Sequence, residues 1–109
     1  MKRIRRQRAF LHDVLAEANR HRRTATLQHA NSDQVNALSE LALNLLRKHI
    51  PIQQKTKMTL QRHAQAIHQA ARRRDSVKKR RAIFLKQKGS GFWRGFKECF
   101  EACHQQKRR

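Results

Sequence analysis

Positive charge is concentrated on either side of a nearly neutral segment of this chain. The 109 residues carry 27 Lys and Arg against 7 Asp and Glu, a formal net charge of +20. Residues 1–23 have a net charge of +6, residues 24–54 a net charge of zero, and residues 72–88 a net charge of +8. Because like charges disfavour a compact state, we expect the neutral segment to organise the fold. The basic segments should then flank it.

The composition limits the size of the core. Hydrophobic residues make up 38% of the chain, which is below the usual share for a globular domain. A chain of this length holds one small domain at most. Low apolar content with high net charge predicts that some segments become ordered only against a partner. There is no secretory signal peptide and no long apolar run, so no membrane span is predicted.

The pattern predicts an all-α protein, a small assembly of about four to five helices with basic, partly disordered arms. One proline and three glycines interrupt the chain, and no window alternates apolar with polar residues. We predict a basic amphipathic N-terminal helix or arm with a linker at residues 1–31, and a helical core with a basic third helix at 32–88. A glycine hinge and an aromatic amphipathic helix should follow at 89–109.

The N-terminal helix is predicted from apolar residues at helical spacing, which are Ile4, Leu11, Val14, Leu15 and Ala18. It should fray between His21 and Thr26, with the linker within residues 24–31. The central helix should begin at a cap, Asn31 or Ser32, and end near Pro51.

Two further helices are predicted in the core. Thr56 offers a cap for a second helix, which carries Leu60, Ala64, Ile67 and Ala71. Asp75 or Ser76 can begin the basic third helix. The glycines at 89–91 should end it, because glycine tolerates the left-handed conformation of a helix stop.

The strongest functional signal is a run of seven basic residues within ten positions: Arg72, Arg73, Arg74, Lys78, Lys79, Arg80 and Arg81. Such a run can meet phosphates along a nucleic-acid backbone and release counterions. Arg3, Arg5 and Arg6 are expected to assist. A solvated basic face or a nuclear-import signal would have the same composition. No zinc-finger spacing or recognition helix indicates sequence-specific reading.

The C-terminal segment has a concentrated apolar face formed by Phe92, Trp93, Phe96 and Phe100, framed by basic residues. Three interpretations are open for it. It can pack on the central helix as core, dock onto a protein such as a shell or scaffold, or insert into a membrane interface.

Metal binding and catalysis have little support in the sequence. Cys99, Cys103 and His104 offer three ligands where a structural zinc site needs four, so no metal and no cofactor is predicted. The seven carboxylates are scattered, and no phosphate-binding glycine loop is present. The chain is therefore not expected to be an enzyme.

Short motifs between Asn36 and Phe92 carry a family resemblance. They are Leu38-Ser39-Glu40, Leu43-Asn44-Leu45-Leu46, Ile50-Pro51-Ile52, Leu60-Gln61-Arg62-His63, Ser76-Val77-Lys78-Lys79-Arg80-Arg81 and Gln87-Lys88-Gly89-Ser90-Gly91-Phe92. On these residues the chain resembles the small basic structural proteins of Polinton (Maverick) elements and adintoviruses. These proteins are analogous to the core proteins of adenoviruses.

The resemblance implies a minor core protein in the virion interior of a double-stranded DNA virus, present in the host nucleus during assembly. It also implies a maturation-protease site, with Ser90 before the cleaved bond and Gly91 after it.

The expected function is non-sequence-specific nucleic-acid binding that condenses and packages viral DNA, with DNA favoured over RNA and a capsid protein as a further partner. One alternative is a capsid-internal cement or membrane-active virion protein that contacts but does not span a membrane through its aromatic helix. A second alternative is a host RNA-binding or ribosome-associated protein.

Overall fold

A computed structural model describes residues 2–47, 54–87 and 90–106, and these residues form eight α helices and no strand. The helices are α1 (Lys2–Arg6), α2 (Arg8–Ala16), α3 (Arg20–Gln28), α4 (Ser32–Arg47), α5 (Gln54–Arg62), α6 (Ala64–Ala71), α7 (Val77–Leu85) and α8 (Ser90–Gln106). The all-α prediction is confirmed. The predicted number of helices is too low, because two of the expected helices are divided and a further helix, α3, forms where a linker was expected.

The N-terminal segment forms three helices that belong to the fold. Ile4 on α1 is buried, and Leu11 and Val14 on α2 are fully buried. The chain then breaks at residues 17–19, where the Asn19 side chain accepts hydrogen bonds from the backbone N–H groups of His21 (2.9 Å) and Arg22 (3.2 Å). This cap starts α3 across the residues expected to fray and to form a linker, so that prediction was wrong.

A buried arginine fixes α3 in place. Arg23 is 8% exposed, and its Nε donates to the carbonyl oxygen of Val14 at 3.1 Å. Its Nη2 donates to the carbonyl oxygen of Glu17, and its guanidinium lies 5.2 Å from the ring centroid of Trp93. Burial lowers the pKa of Arg23, an effect that the negative charge of Glu17 opposes. The side chain thus closes the carboxyl end of α2 and links it to α8.

Helix α4 is the central element, and α1, α2, α6, α7 and α8 all pack against it. Asn31 and Gln34 begin it with a reciprocal cap, in which each side-chain oxygen accepts from the other residue's backbone N–H at 2.9 Å. Its apolar stripe is buried, with Leu38 and Leu41 fully inaccessible. The predicted central helix and its cap are confirmed, whereas Pro51 lies outside the described residues.

The second predicted helix is two helices, α5 and α6, separated at His63. Helix α5 begins at Gln54, so Thr56 lies inside it and is not its cap. Thr56 is 2% exposed, and its Oγ1 donates to Glu98 Oε1 on α8 at 2.7 Å. The residue expected to start a helix therefore connects two helices.

Helix α8 lies close against α5 through two glycines. A Cβ atom at Gly91 would lie 2.6 Å from Thr59 Cγ2, and one at Gly95 would overlap the Leu60 side chain. Four residues apart on a helix, both glycines face the same neighbour. Gly91 was expected to belong to a hinge, but it lies within α8 and serves this close approach; Gly89 lies outside the described residues.

The aromatic residues of α8 meet Phe84 of α7 in one cluster. Phe92 and Phe96 have ring centroids 4.6 Å apart, and the Phe84 ring lies 6.0 Å from that of Trp93 and 5.9 Å from that of Phe96. The indole Nε1 of Trp93 donates to the carbonyl oxygen of Gln87 at 2.8 Å, which fixes the segment after α7. Among the described helices, none is long and apolar enough to cross a membrane.

Candidate nucleic-acid interface

The chain turns sharply between α6 and α7, and this turn presents three arginines to solvent. The backbone N–H of Arg72 donates to the Gln69 carbonyl oxygen at 3.3 Å, and that of Asp75 donates to the Arg72 carbonyl oxygen at 3.0 Å. Arg72, Arg73 and Arg74 are all exposed. Their side chains therefore leave one short, hydrogen-bonded turn and reach solvent together.

The first turn of α7 adds two exposed lysines. The Ser76 side chain caps this helix by accepting from the backbone N–H of Lys79 at 3.1 Å. Lys78 and Lys79 are exposed, and Lys79 Nζ lies 3.8 Å from Asp75 Oδ2. No acidic residue lies in this first turn, although the positive end of the helix dipole is there. Lysines are unfavourable at such a position, and a bound anion would relieve that cost.

Arg80 was predicted to contact phosphate, but the structure buries it. Only 3% of the residue is exposed; its Nη1 donates to Ser39 Oγ at 2.8 Å and its Nε donates to the Asp75 carbonyl oxygen at 3.1 Å. Burial lowers the pKa of Arg80, and the positive charges of Arg73 and Arg3 lower it further. The negative charge of Asp75 acts in the opposite direction. Arg80 ties the turn to α4 and is not available to a ligand.

Arg81 also has a structural contact. It is partly buried, and its Nη2 donates to the carbonyl oxygen of Ala30 at 2.5 Å, which links α7 to the segment before α4. Its Nε is buried without a hydrogen-bond partner. The predicted set of seven therefore contains five exposed cations and two arginines that hold the turn and α7 in position.

The basic N-terminal helix reaches the same region. Arg3, Arg5 and Arg6 are exposed on α1, while Ile4 between them is buried. The positive charges of Arg73 and Arg3 both lower the pKa of Arg80, and the effect of Arg73 is the larger. Both basic segments belong to helices that pack against α4, namely α1, α6 and α7.

The aromatic residues expected to dock on a partner or a membrane lie inside the protein. Phe92 and Phe96 are fully buried, Trp93 is 2% exposed and Phe100 is 9% exposed. Of the three interpretations left open for this helix, packing as core is the one that the structure shows. Docking through these side chains was also predicted, but the fold does not present them at its surface.

No group of three or more His, Cys, Asp or Glu side chains that could hold a metal is found in the part of the chain that is described. Cys99 is buried with its Sγ 3.8 Å from the Leu41 carbonyl oxygen, and the side chains of Cys103 and His104 lie outside the description. Ser90 and Gly91, the residues flanking the expected protease site, lie in the first turn of α8.

Two structural roles, those of Arg80 and Ser39, were not predicted although each has a visible signal in the sequence. Arg80 precedes Phe84 by four residues and so lies on the same face of α7 as a core aromatic residue. Ser39 lies next to Leu38 and close to the other buried positions of α4, where a hydroxyl needs a partner. Together these positions indicate a buried hydrogen bond.

Comparison of the chain with protein-family models, curated proteins and solved structures finds no match.

Proposed function

We propose that this protein binds the phosphate backbone of nucleic acids without sequence specificity and condenses it. The observation that carries the proposal is the arrangement of residues 72–81. Five cations are exposed on one turn and the helix start that follows it: Arg72, Arg73, Arg74, Lys78 and Lys79. The two arginines that follow hold this unit to the core.

The chemistry of this surface suits a polymer of phosphates. Arginine forks bind phosphate oxygens in pairs, and several cations on a short turn can contact neighbouring phosphates. Asp75 is the one carboxylate within this segment, and it already lies near Lys79. The net charge of +20 allows one chain to neutralise many phosphates, which favours compaction of a long duplex.

The biological setting proposed is the packaging of double-stranded DNA as a minor core protein inside a virion, with assembly in the host nucleus and a capsid protein as a further partner. It follows from the resemblance to the small basic proteins of Polinton elements and adintoviruses. Burial of the α8 aromatic residues supports this proposal over a membrane-active or cement protein, because such a protein would use them at its surface. Neither setting requires an enzyme activity or a cofactor.

The salt dependence of DNA affinity tests the proposed surface. The test variant changes five residues to Gln, namely Arg72, Arg73, Arg74, Lys78 and Lys79. The slope of log affinity against log salt concentration is negative, and its magnitude should fall by up to about 4.5 in this variant, since each lost phosphate contact removes about 0.9. The matched control changes five exposed cations elsewhere to Gln, namely Arg20, Arg22, Lys57, Arg94 and Lys97. It alters the total charge equally but should alter the slope much less. Equal losses in both variants would show that the surface is assigned wrongly.

A second measurement separates DNA packaging from the RNA-binding alternative. Native complexes should dissociate on treatment with DNase and survive RNase. The purified protein should sediment long duplex DNA at charge neutralisation. Sensitivity to RNase alone would exclude the packaging role while leaving phosphate binding in place.

A further inference from the structure

Ser76 lies at the end of the exposed connection between α6 and α7. Residues 72–76 are outside both helices, and Ser76 itself is exposed, with an extended backbone (φ −62°, ψ 156°). Its Oγ accepts a hydrogen bond from the backbone N–H of Lys79 at 3.1 Å. A serine in such a connection can enter the active site of a modifying enzyme, because little packing has to be given up.

The residues around Ser76 form a pattern that protein kinases can recognise. Arg73 and Arg74 precede the serine by three and two residues, and the apolar Val77 follows it. Both arginines are exposed, so their charges are available to an acidic substrate groove. Charge patterns of this kind direct kinases to their substrates, and paired arginines before a serine are typical of the substrates of basophilic kinases.

Thr26 has a similar sequence context in a different structure. Arg22 and Arg23 precede it by four and three residues. However, Thr26 lies within α3, and its Oγ1 donates to the Arg22 carbonyl oxygen at 3.1 Å. Arg23 is buried, with its Nε bonded to the Val14 carbonyl oxygen. The pattern before Thr26 therefore becomes accessible only if α3 unfolds.

We propose that Ser76 is a phosphorylation site for a basophilic serine kinase, and that its modification releases the protein from nucleic acid. In the transfer, Ser76 Oγ forms a bond to the γ-phosphorus of ATP, and the bond from that phosphorus to the bridging β–γ oxygen breaks. ADP leaves, and the hydroxyl proton passes to the catalytic carboxylate of the kinase. The release rests on the proposed function and adds its regulation, whereas the modification itself does not depend on it.

A phosphate on Ser76 would compete with the phosphates of a bound strand. It adds a charge of about −1.5 to −2 beside the exposed cations of residues 72–79. It also lies next to Lys78 and Lys79 in the first turn of α7, where no acidic residue is present. If it neutralises about two cations, the slope of log affinity against log salt concentration should lose about 1.8 of its magnitude. Affinity at about 0.1 M salt should then fall by about tenfold or more.

Phosphopeptide mapping of the folded full chain tests the site. The protein is incubated with ATP and the catalytic subunit of cyclic-AMP-dependent protein kinase, and mass spectrometry locates the phosphate. We expect about one phosphate per chain, at Ser76, and its loss in Ser76→Ala. Ser32→Ala is the control, because Ser32 is exposed at a helix start but has no arginine or lysine among the three residues before it. Modification of Thr26 instead of Ser76, or no modification of the folded chain, would overturn the assignment.

DNA binding by the phosphorylated chain tests the release. Affinity for a labelled DNA duplex is measured before phosphorylation, after it, and again after phosphatase treatment, which should restore the original value. A saturating duplex should in turn slow phosphorylation of Ser76, because binding and modification oppose each other reciprocally. Equal affinities of the unmodified and phosphorylated chains would overturn the regulation. Absence of salt-dependent binding by the unmodified chain would instead overturn the proposed function itself.

Discussion

The basic segment at 72–81 and the aromatic helix α8 both stand out in the sequence, yet the fold uses them in different ways. Five of seven cations in the first remain at the surface, whereas all four aromatic residues singled out in the second are buried. A small, highly charged chain has few large apolar side chains, and burying them is its main source of stability. A concentration of aromatic residues in such a chain is thus better evidence for core than for docking.

The largest expected effect comes from Trp93→Ala. The indole packs in the aromatic cluster, donates to the Gln87 carbonyl oxygen and lies against Arg23. Truncating a large buried aromatic residue costs about 3–5 kcal/mol, much of the stability of a small domain. Urea unfolding followed by circular dichroism measures it. A loss below about 1 kcal/mol would place α8 outside the core and restore a docking role.

Arg80 and Arg73 should separate stability from binding. Arg80→Gln is expected to lower the free energy of unfolding by about 2 kcal/mol, because the charge-assisted hydrogen bonds to Ser39 and Asp75 are lost. It should leave the salt dependence of DNA affinity unchanged. Arg73→Gln should change the free energy of unfolding by less than about 0.5 kcal/mol. It should reduce the magnitude of the slope of log DNA affinity against log salt concentration by about 0.9. Thermal unfolding and fluorescence titration of one labelled duplex provide both quantities. The opposite pattern would make Arg80 the phosphate ligand.

The smallest expected effect tests the start of α7. Ser76→Ala removes the cap and should cost about 1 kcal/mol, whereas Ser32→Ala should cost much less because Asn31 caps α4. Ser76→Asp keeps a capping oxygen but adds a negative charge among the exposed cations. Its stability should match the wild type while its DNA affinity falls. If affinity does not change, phosphates do not approach this turn.

Local signals in the sequence were sufficient for some boundaries. The predicted caps were Asn31 or Ser32 for α4 and Asp75 or Ser76 for α7, and the structure shows Asn31 and Ser76. These starts could be predicted because a cap depends only on the next three residues. The breaks at Gln7 and His63 carry neither glycine nor proline, so no local signal marks them. At His63 the chain changes its neighbour, since α5 packs against α8 and α6 packs against α4. Asn19 was readable as the cap of α3, but we predicted fraying between His21 and Thr26 and a linker within residues 24–31.

The candidate site was predictable in composition and not in geometry. The sequence identified the basic run, but it could not show that Arg80 and Arg81 turn inward, since that depends on Ser39 and Ala30 from a distant part of the chain. Nor could it show that Arg3 and Arg73 act on the same buried group. Both facts follow from the packing of α1, α6 and α7 around one helix.

The close approach of α8 to α5 has a consequence for how this protein can change over evolution. Exposed arginines at 72–74 can be exchanged for lysine with little effect on the fold, because their side chains contact few neighbours. At Gly91 and Gly95 a single added carbon meets α5, so related chains should retain glycine there while their basic residues drift. Relatives of this protein should therefore be more alike at these two glycines than at the positively charged residues that dominate its composition.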